Sequence, residues 1–242
     1  MKLSRYKRSS SVSYAFGATI VYELHKTHPE LITRVFLRPD IKHGDDLQHI
    51  ISLLKDQHIE IIESTKAFNI LGAKENCLLI AEFQKPQTIL DSSATTHVVL
   101  VNPSDAGNLG TIMRTAAAFG YQNIALIEPC VDPYDPKTIR ASMGAVFHLN
   151  IQTFPSFADY ATGQRQFYAF MLDDKATPLS ELSLPQANYG LVFGNEAAGL
   201  PKDFCKNHKN ITPVYIPQSS NVDSLNLSAA ASIALYIFKP KA

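Results

Sequence analysis

The stretch Val98-Val-Leu-Val101-Asn102-Pro-Ser-Asp-Ala-Gly-Asn108-Leu-Gly-Thr-Ile-Met-Arg114-Thr-Ala-Ala-Ala-Phe-Gly120 decides the fold. Four apolar residues run into a polar turn. Helical spacing follows from about Leu109 to Phe119, and Gly120 is placed to cap the helix C-terminus. A short unbroken apolar run ahead of a helix reads as a buried strand of a parallel sheet. Ligands of open parallel sheets bind beyond the carboxyl ends of strands, so the turn is well placed for chemistry. The helix N-terminus offers N–H groups and a positive dipole end, which suit a phosphate. Arg114 lies inside a helix whose other positions are mostly apolar, and its guanidinium keeps its charge and needs a partner. Residue types alone leave two readings open: a functional charge, or a side chain that reaches solvent or a carboxylate.

Working outward, Ile124–Ile127, Val146–Ile151, Phe167–Met171, Tyr189–Phe193 and Pro213–Ile216 are further strand candidates. Helix candidates lie near Lys137–Met143, Phe157–Thr162, Pro201–Asn207 and Leu225–Phe238. Strands alternating with helices predict a parallel sheet covered on both faces. Upstream, helices are expected around Ile20–His25, Leu47–Leu54 and Lys66–Leu71. Strands are expected at Val35–Leu37, Ile59–Ile62 and Leu78–Phe83. The chain is therefore expected to divide into a basic flexible tail (1–13), a small α/β domain (14–83), a polar linker (84–96) and a larger α/β domain (97–242).

Composition narrows the function classes. The 242 residues include 22 basic and 22 acidic side chains, and 45% are hydrophobic, which fits a globular chain and not a disordered one. The longest apolar run, Ala229–Phe238, is too short to cross a bilayer, and no secretory h-region is visible. Cys77, Cys130 and Cys205 are far apart, form no CxxC motif and leave an odd count, so a reducing, cytoplasmic setting is expected. His25 and His28 are read as helix-surface residues, and no metal site is expected. There is no GxGxxG, no GxxxxGK[ST] and no GxSxG, which removes the common dinucleotide, P-loop and hydrolase signatures.

Two later segments repeat the strand-then-polar-turn pattern. In Leu191-Val-Phe-Gly194-Asn195-Glu196-Ala-Ala-Gly199-Leu200, one carboxylate stands between two glycines. Glu196 reads either as a site residue or as a charge near a helix N-terminus. Val214-Tyr-Ile216-Pro217-Gln-Ser-Ser-Asn-Val-Asp-Ser224-Leu225-Asn226-Leu-Ser228 leads from a strand through a long polar loop to an apolar helix. The loop reads either as a functional one held by the rigid sheet or as helix capping by Ser224 or Asp223, and Asn226 and Ser228 are less easily explained as caps.

Taken in order, these three segments resemble motifs 1, 2 and 3 of the SpoU (TrmH-like) RNA ribose methyltransferases of the SPOUT superfamily. The resemblance covers about residues 97–238, and Asp132-Pro-Tyr-Asp-Pro-Lys-Thr-Ile-Arg-Ala-Ser-Met-Gly144 shares it. Residues 14–83 resemble, more weakly, the L30e-like RNA substrate-binding domain found ahead of many members. One departure is Ser220, where the family often carries Gly.

The resemblance implies a parallel-sheet SPOUT domain with a C-terminal trefoil knot and a homodimer. It implies S-adenosylmethionine as methyl donor and a ribose 2′-hydroxyl, most readily of ribosomal RNA, as acceptor. By position, Arg114, Asn108, Glu196, Ser224 and Asn226 match the family's functional residues, and Gly194, Ile216 and Leu225 match its cofactor-holding positions. The competing readings are a transfer-RNA methyltransferase, a catalytically inactive RNA-binding protein of the same fold, and an unrelated α/β enzyme.

The zero net charge conceals one basic cluster. Residues 1–10 carry four basic side chains and no acid, and they are expected to meet RNA phosphates.

Overall fold

The computed structural model describes residues 3–39, 44–90, 96–183 and 188–239. Residues 1–2, 91–95 of the expected linker and the last three residues of the expected larger domain lie outside the described residues.

The chain forms two compact units, Met1–Gln87 with Asp132–His148, and Thr88–Val131 with Leu149–Ala242. The first contains β1 (Val12–Phe16), α1 (Ala18–Thr27), β2 (Ile32–Leu37), α2 (Asp45–Asp56), β3 (Ile61–Glu63), α3 (Thr65–Leu71) and β4 (Leu79–Gln84). Its sheet runs in the order β1-β4-β2-β3, with β4 antiparallel to both neighbours and β2 parallel to β3. Tyr14, Phe36, Phe68 and Ile80 form a core on one side of this sheet.

The boundary expected at residue 14 falls inside β1, because Ser13 is as buried as Tyr14. Ahead of that strand the chain is laid along the unit and is not a free basic tail. Leu3 and Tyr6 pack against the core, and Arg5 Nε donates to the Ile70 carbonyl at 3.3 Å. His25, expected on a helix surface, is buried on the inner face of α1.

Asp132–His148 also joins this first unit, although its sequence lies inside the expected larger domain. Its helix α5 (Pro136–Ala141) starts at Asp135, which caps it through the Lys137 N–H. Lys85 pairs with Asp132 at 2.9 Å, His148 with Glu23 at 2.7 Å, and the Ser13 hydroxyl donates to the Tyr134 carbonyl. These contacts come from residues far away in sequence, and no local pattern carries them.

The second unit contains β5 (Thr96–Val101), α4 (Ala106–Ala118), β6 (Asn123–Ile127), β7 (Asn150–Phe154), α6 (Phe157–Tyr160), β8 (Gln166–Phe170), β9 (Thr177–Pro178), β10 (Tyr189–Phe193), α7 (Phe204–Asn207), β11 (Ile211–Tyr215) and α8 (Leu227–Ile237). Among the described residues its seven strands are all parallel, in the order β7-β6-β5-β10-β8-β11-β9. β5 and β10 are buried along their whole length, as their unbroken apolar runs predict. The expected strand Val146–Ile151 is instead a 3₁₀ turn, Ala145–His148, followed by β7. The expected linker is partly anchored here, since the Thr88 hydroxyl donates to the Ile151 carbonyl and the Leu90 N–H to Gln152 at 2.9 Å.

The strand order reverses between β5 and β10. From β5 the chain builds outward to β6 and β7 on one side, and β10, β8 and β11 lie on the other. A crevice at the carboxyl ends of strands forms at such a switch point. No helix among the described residues is long and apolar enough to cross a membrane.

Candidate active site

Three turns meet where β5 and β10 end. Asp105 caps α4, accepting from the Asn108 N–H at 2.7 Å. Glu196, from the turn after β10, reaches the same helix end. Its Oε2 accepts from the Ser104 N–H at 3.0 Å and the Ser104 hydroxyl at 2.7 Å, and its Oε1 accepts from the Asp105 N–H at 3.1 Å. Partial burial raises the pKa of Glu196, but the Ser104 hydroxyl and these N–H groups outweigh it and hold the carboxyl below its usual range. Two protein carboxylates thus occupy the N-terminus of α4. That corrects the expectation that this helix end is open to a phosphate.

Asn108 links the carboxylate to the third turn. Its Nδ2 donates to Glu196 Oε1 at 3.4 Å, and its Oδ1 accepts from Asn226 Nδ2 at 3.1 Å. Asn226 is itself the N-cap of α8. Its Oδ1 accepts from the Ser228 N–H at 2.9 Å, the Ser228 hydroxyl at 2.7 Å and the Ala229 N–H at 3.3 Å. The cap expected at Ser224 or Asp223 therefore lies two or three residues further on. The helix starts later because an Asn amide can cap α8 and still donate to Asn108.

Asn195, Ser104 and Asp105 complete the arrangement and are absent from the set expected from sequence. Asn195 Nδ2 donates to the Asn102 carbonyl at 2.8 Å, and its Oδ1 accepts from the Ala197 and Ala198 N–H groups at 3.0 Å. Its main chain pairs with Gly199, which adopts a φ of +66°. Asp105, three residues before Asn108 and ahead of an apolar helix, carried a readable N-cap signal. Asn195 carried none beyond its place between a strand and a glycine.

A cavity of about 860 Å³ opens beside these turns. Gly194, Glu196, Ile216, Ser224 and Leu225 all line it. At Gly194 an added Cβ would stand 2.2 Å from the Gly199 carbonyl carbon and 2.4 Å from the Leu200 nitrogen, so only glycine fits. Phe170 and Phe193, stacked at 4.8 Å, form one apolar part of the lining, while Asp173, Asp174, Lys202 and Lys206 add charges of both signs. A cavity of this size and mixed lining suits a small molecule with an apolar, planar part and charged ends.

Arg114 stands apart. It is exposed on α4, makes no hydrogen bond or ion pair among the described residues, and does not line the cavity. The apolar spacing of α4 did not bury it. Leu109, Ile112, Met113 and Ala116 face inward, and Arg114 falls between them on the outer surface. Ser224 is exposed and lies at the cavity. Among the described residues no cluster of His, Cys, Asp or Glu could hold a metal ion.

A parallel sheet with this reversal, together with three interlocked strand-end turns, defines an α/β protein built to hold a ligand at its switch point. The profile of the SpoU rRNA Methylase family matches residues 95–236, and the chain belongs to that family. It is 32% identical over 170 residues to the 23S rRNA (guanosine(2553)-2'-O)-methyltransferase RlmP of Bacillus subtilis, covering 65% of this chain and 66% of that protein. It is 26% identical over 241 residues to the 23S rRNA (guanosine-2'-O-)-methyltransferase RlmB of Acinetobacter baylyi, covering 92% and 95%. The structure of the AdoMet-bound rRNA methyltransferase from Sinorhizobium meliloti superposes with a TM-score of 0.77 at 26% identity, covering 94% and 86%. The chain spans 66%, 52% and 26% of the lengths of three curated relatives, the Bacillus subtilis protein among them.

Proposed function

We propose that this chain is an S-adenosylmethionine-dependent methyltransferase acting on a ribose 2′-hydroxyl of ribosomal RNA. The observation that carries the reading is the chain of hydrogen bonds from Asn226 through Asn108 to Glu196, set beside a cavity at the switch point. The choice of ribosomal RNA is supported by two relatives that span both units of the chain, the Acinetobacter baylyi and Sinorhizobium meliloti proteins, which are described as rRNA methyltransferases.

The cavity fits the proposed cofactor. Its volume lies in the range of ligand sites. Gly194, Ile216 and Leu225 would hold S-adenosylmethionine with main-chain groups, and the stacked Phe170 and Phe193 offer apolar surface to an adenine. When bound, that molecule supplies a methyl group on a sulfonium. The residues of the chain supply position. Glu196 serves the site by locking the turn after β10 to α4, and Asn108 and Asn226 hold α8 in register with both. Ser224, exposed at the cavity, is left to contact substrate. Arg114 brings a guanidinium, a group suited to binding phosphate. It would bind the phosphate next to the target ribose and stabilise the alkoxide oxygen as its proton leaves to phosphate or water.

The active form is proposed to be a homodimer. Ile233, Tyr236 and Ile237 leave an apolar strip of α8 exposed at 38%, 58% and 38%. Arg114 lies outside the cavity of its own chain but next to Thr115, which meets Ser232 of α8 at 3.3 Å. A second copy covering this surface would give Arg114 a site to act on. The C-terminal trefoil knot is supported by the return of α8 across the sheet. β11 lies beyond β8, yet α8 packs on α4 and β10. The first unit, with its mixed sheet, is read as the L30e-like RNA-binding domain, and a cytoplasmic location is proposed with it.

The test is transfer of an isotopically labelled methyl group to ribosomal and transfer RNA, read by mass spectrometry of the nucleosides. Label in 2′-O-methyl nucleosides of ribosomal RNA is expected. Label in transfer RNA alone would move the substrate, and binding of RNA without transfer would make the chain an inactive RNA-binding relative.

A further inference from the structure

Helices α4 and α8 pack against each other in the second unit. Their buried positions include small residues, Gly110 and Ala116 on α4 and Ala231 and Ala234 on α8. Small side chains let two helices approach closely, but their shallow ridges resist sliding along the axis only weakly. Polar contacts fix the register instead, and three of them advance together along both segments. Asn108 meets Asn226 at 3.1 Å, Thr115 Oγ1 meets Ser232 Oγ at 3.3 Å, and the buried Tyr121 hydroxyl donates to the Leu235 carbonyl at 3.2 Å. The first involves the cap of α8, and the last lies beyond the end of α4. Among the described residues, Thr115–Ser232 is the one polar side-chain contact between the bodies of the two helices.

Each of these two hydroxyls carries a single proton. Thr115 directs its proton to the Thr111 carbonyl at 3.0 Å, and Ser232 directs its own to the Ser228 carbonyl at 2.7 Å. The shorter bond is the firmer one. Ser232 therefore keeps its proton within α8 and accepts, while Thr115 is the donor across the seam. The line of hydrogen bonds continues from there. The Ser228 hydroxyl donates to Asn226 Oδ1 at 2.7 Å, Asn226 donates to Asn108, and Asn108 donates to Glu196 at 3.4 Å, in the cavity wall. The sequence neighbours of the pair matter as much. Thr115 follows Arg114, exposed on α4, and Ser232 precedes Ile233, the first residue of the exposed strip on α8. The contact ties the helix that carries the charge to the helix that carries the strip, at the level of both.

We propose that Thr115 and Ser232 are positioning residues for methyl transfer. Neither lines the cavity, and they act through Arg114. The strip on α8 decides where a second copy sits, and Arg114 projects from α4. The register of the two helices then decides where the guanidinium stands against the cavity of that copy. A slip of about 1 Å would leave each cavity intact and displace the charge that serves it, a misplacement that can cost about 100-fold in rate. The inference rests on the functional reading above, the second copy included.

The test is single-turnover transfer of a labelled methyl group from S-adenosylmethionine to RNA by the full chain. T115V and S232A should each slow transfer by about 10- to 100-fold. The double variant should be no slower than either, because both substitutions break one contact. T115S keeps the donor and should recover most of the rate. Calorimetric affinity for S-adenosylmethionine and the KM for RNA should stay at their wild-type values, and sedimentation should show the wild-type species. The melting temperature should fall by no more than about 4 °C, the effect of one hydrogen bond. S156A, which removes the cap of α6, should lose comparable stability and keep its rate. Wild-type rates in T115V and S232A overturn the pair, as does a rate loss that S156A shares or that T115S does not recover. A wild-type chain that transfers no methyl group to any RNA overturns the functional reading itself.

Discussion

Asn226 Nδ2 donates to Asn108 Oδ1 at 3.1 Å, joining the first residue of one helix cap to the first turn of another across 118 positions of sequence. The bond couples the loop after β11 to α4, and its worth is measurable. In a double-mutant cycle, N108A and N226A should show a coupling of about 0.5–1.5 kcal/mol in urea unfolding. N226A alone should cost about 1 kcal/mol more than the coupling, because it also removes the cap of α8. Additive losses would mean that the two amides do not act together.

Glu196 links stability to pH. Its folded-state pKa lies below its ordinary value, so its contribution is present above that value and is lost as pH falls through the folded one. E196Q should lower unfolding free energy by about 1–2 kcal/mol at neutral pH. The gap between variant and wild type should close in acid melts. A gap that stays constant with pH would show that the charge contributes nothing.

Gly194→Ala places a Cβ against the main chain of Gly199 and Leu200. The turn after β10 must move, at a cost of about 2–3 kcal/mol. S-Adenosylmethionine binding should fall by calorimetry more than the melting temperature alone explains. A variant that binds the cofactor as wild type does would remove Gly194 from the proposed cofactor wall.

Arg114→Ala should separate folding from chemistry. The side chain is exposed and unpaired among the described residues, so stability should change by no more than about 0.5 kcal/mol. Single-turnover methyl transfer should drop by at least about 100-fold, and Lys should not restore it. Full transfer by a folded R114A protein would end the assignment.

The strip on α8 predicts assembly. Wild-type protein should sediment as a dimer, and I233E combined with Y236E as a monomer that still binds S-adenosylmethionine. A monomeric wild-type chain would leave the strip without its proposed partner.

Strands β5 and β10 and the turns that follow them were legible because a buried parallel strand is a pure apolar run. Those turns, with the polar loop after β11, marked Asn108, Glu196 and Asn226. Sequence could not show how those three are connected. Glu196 reads from its neighbours as a possible substrate contact, and only the approach of β10 to β5 turns it into a second cap for α4. For Arg114 the residue types left a functional charge and a solvent-reaching side chain open, and the structure places it, with Ala118, on the exposed side of α4. β1 was missed because Val12-Ser13-Tyr14 is short and follows a serine-rich stretch, and the partnership of Asp132–His148 with the first unit is written only in distant contacts.

That partnership has a consequence for biosynthesis. A ribosome delivers the chain from its N-terminus, and domains ordinarily close as they emerge. Here β1 to β4 leave the tunnel early, but Asp132, Arg140 and His148 follow only after β5, α4 and β6 have been made. The first unit must therefore wait, its Lys85 and Glu23 without their partners, while the strands of the second are already being synthesised. A fragment ending at Gln87 would be arrested at that stage, and the maturation of the two units is ordered in time by a single interleaved segment.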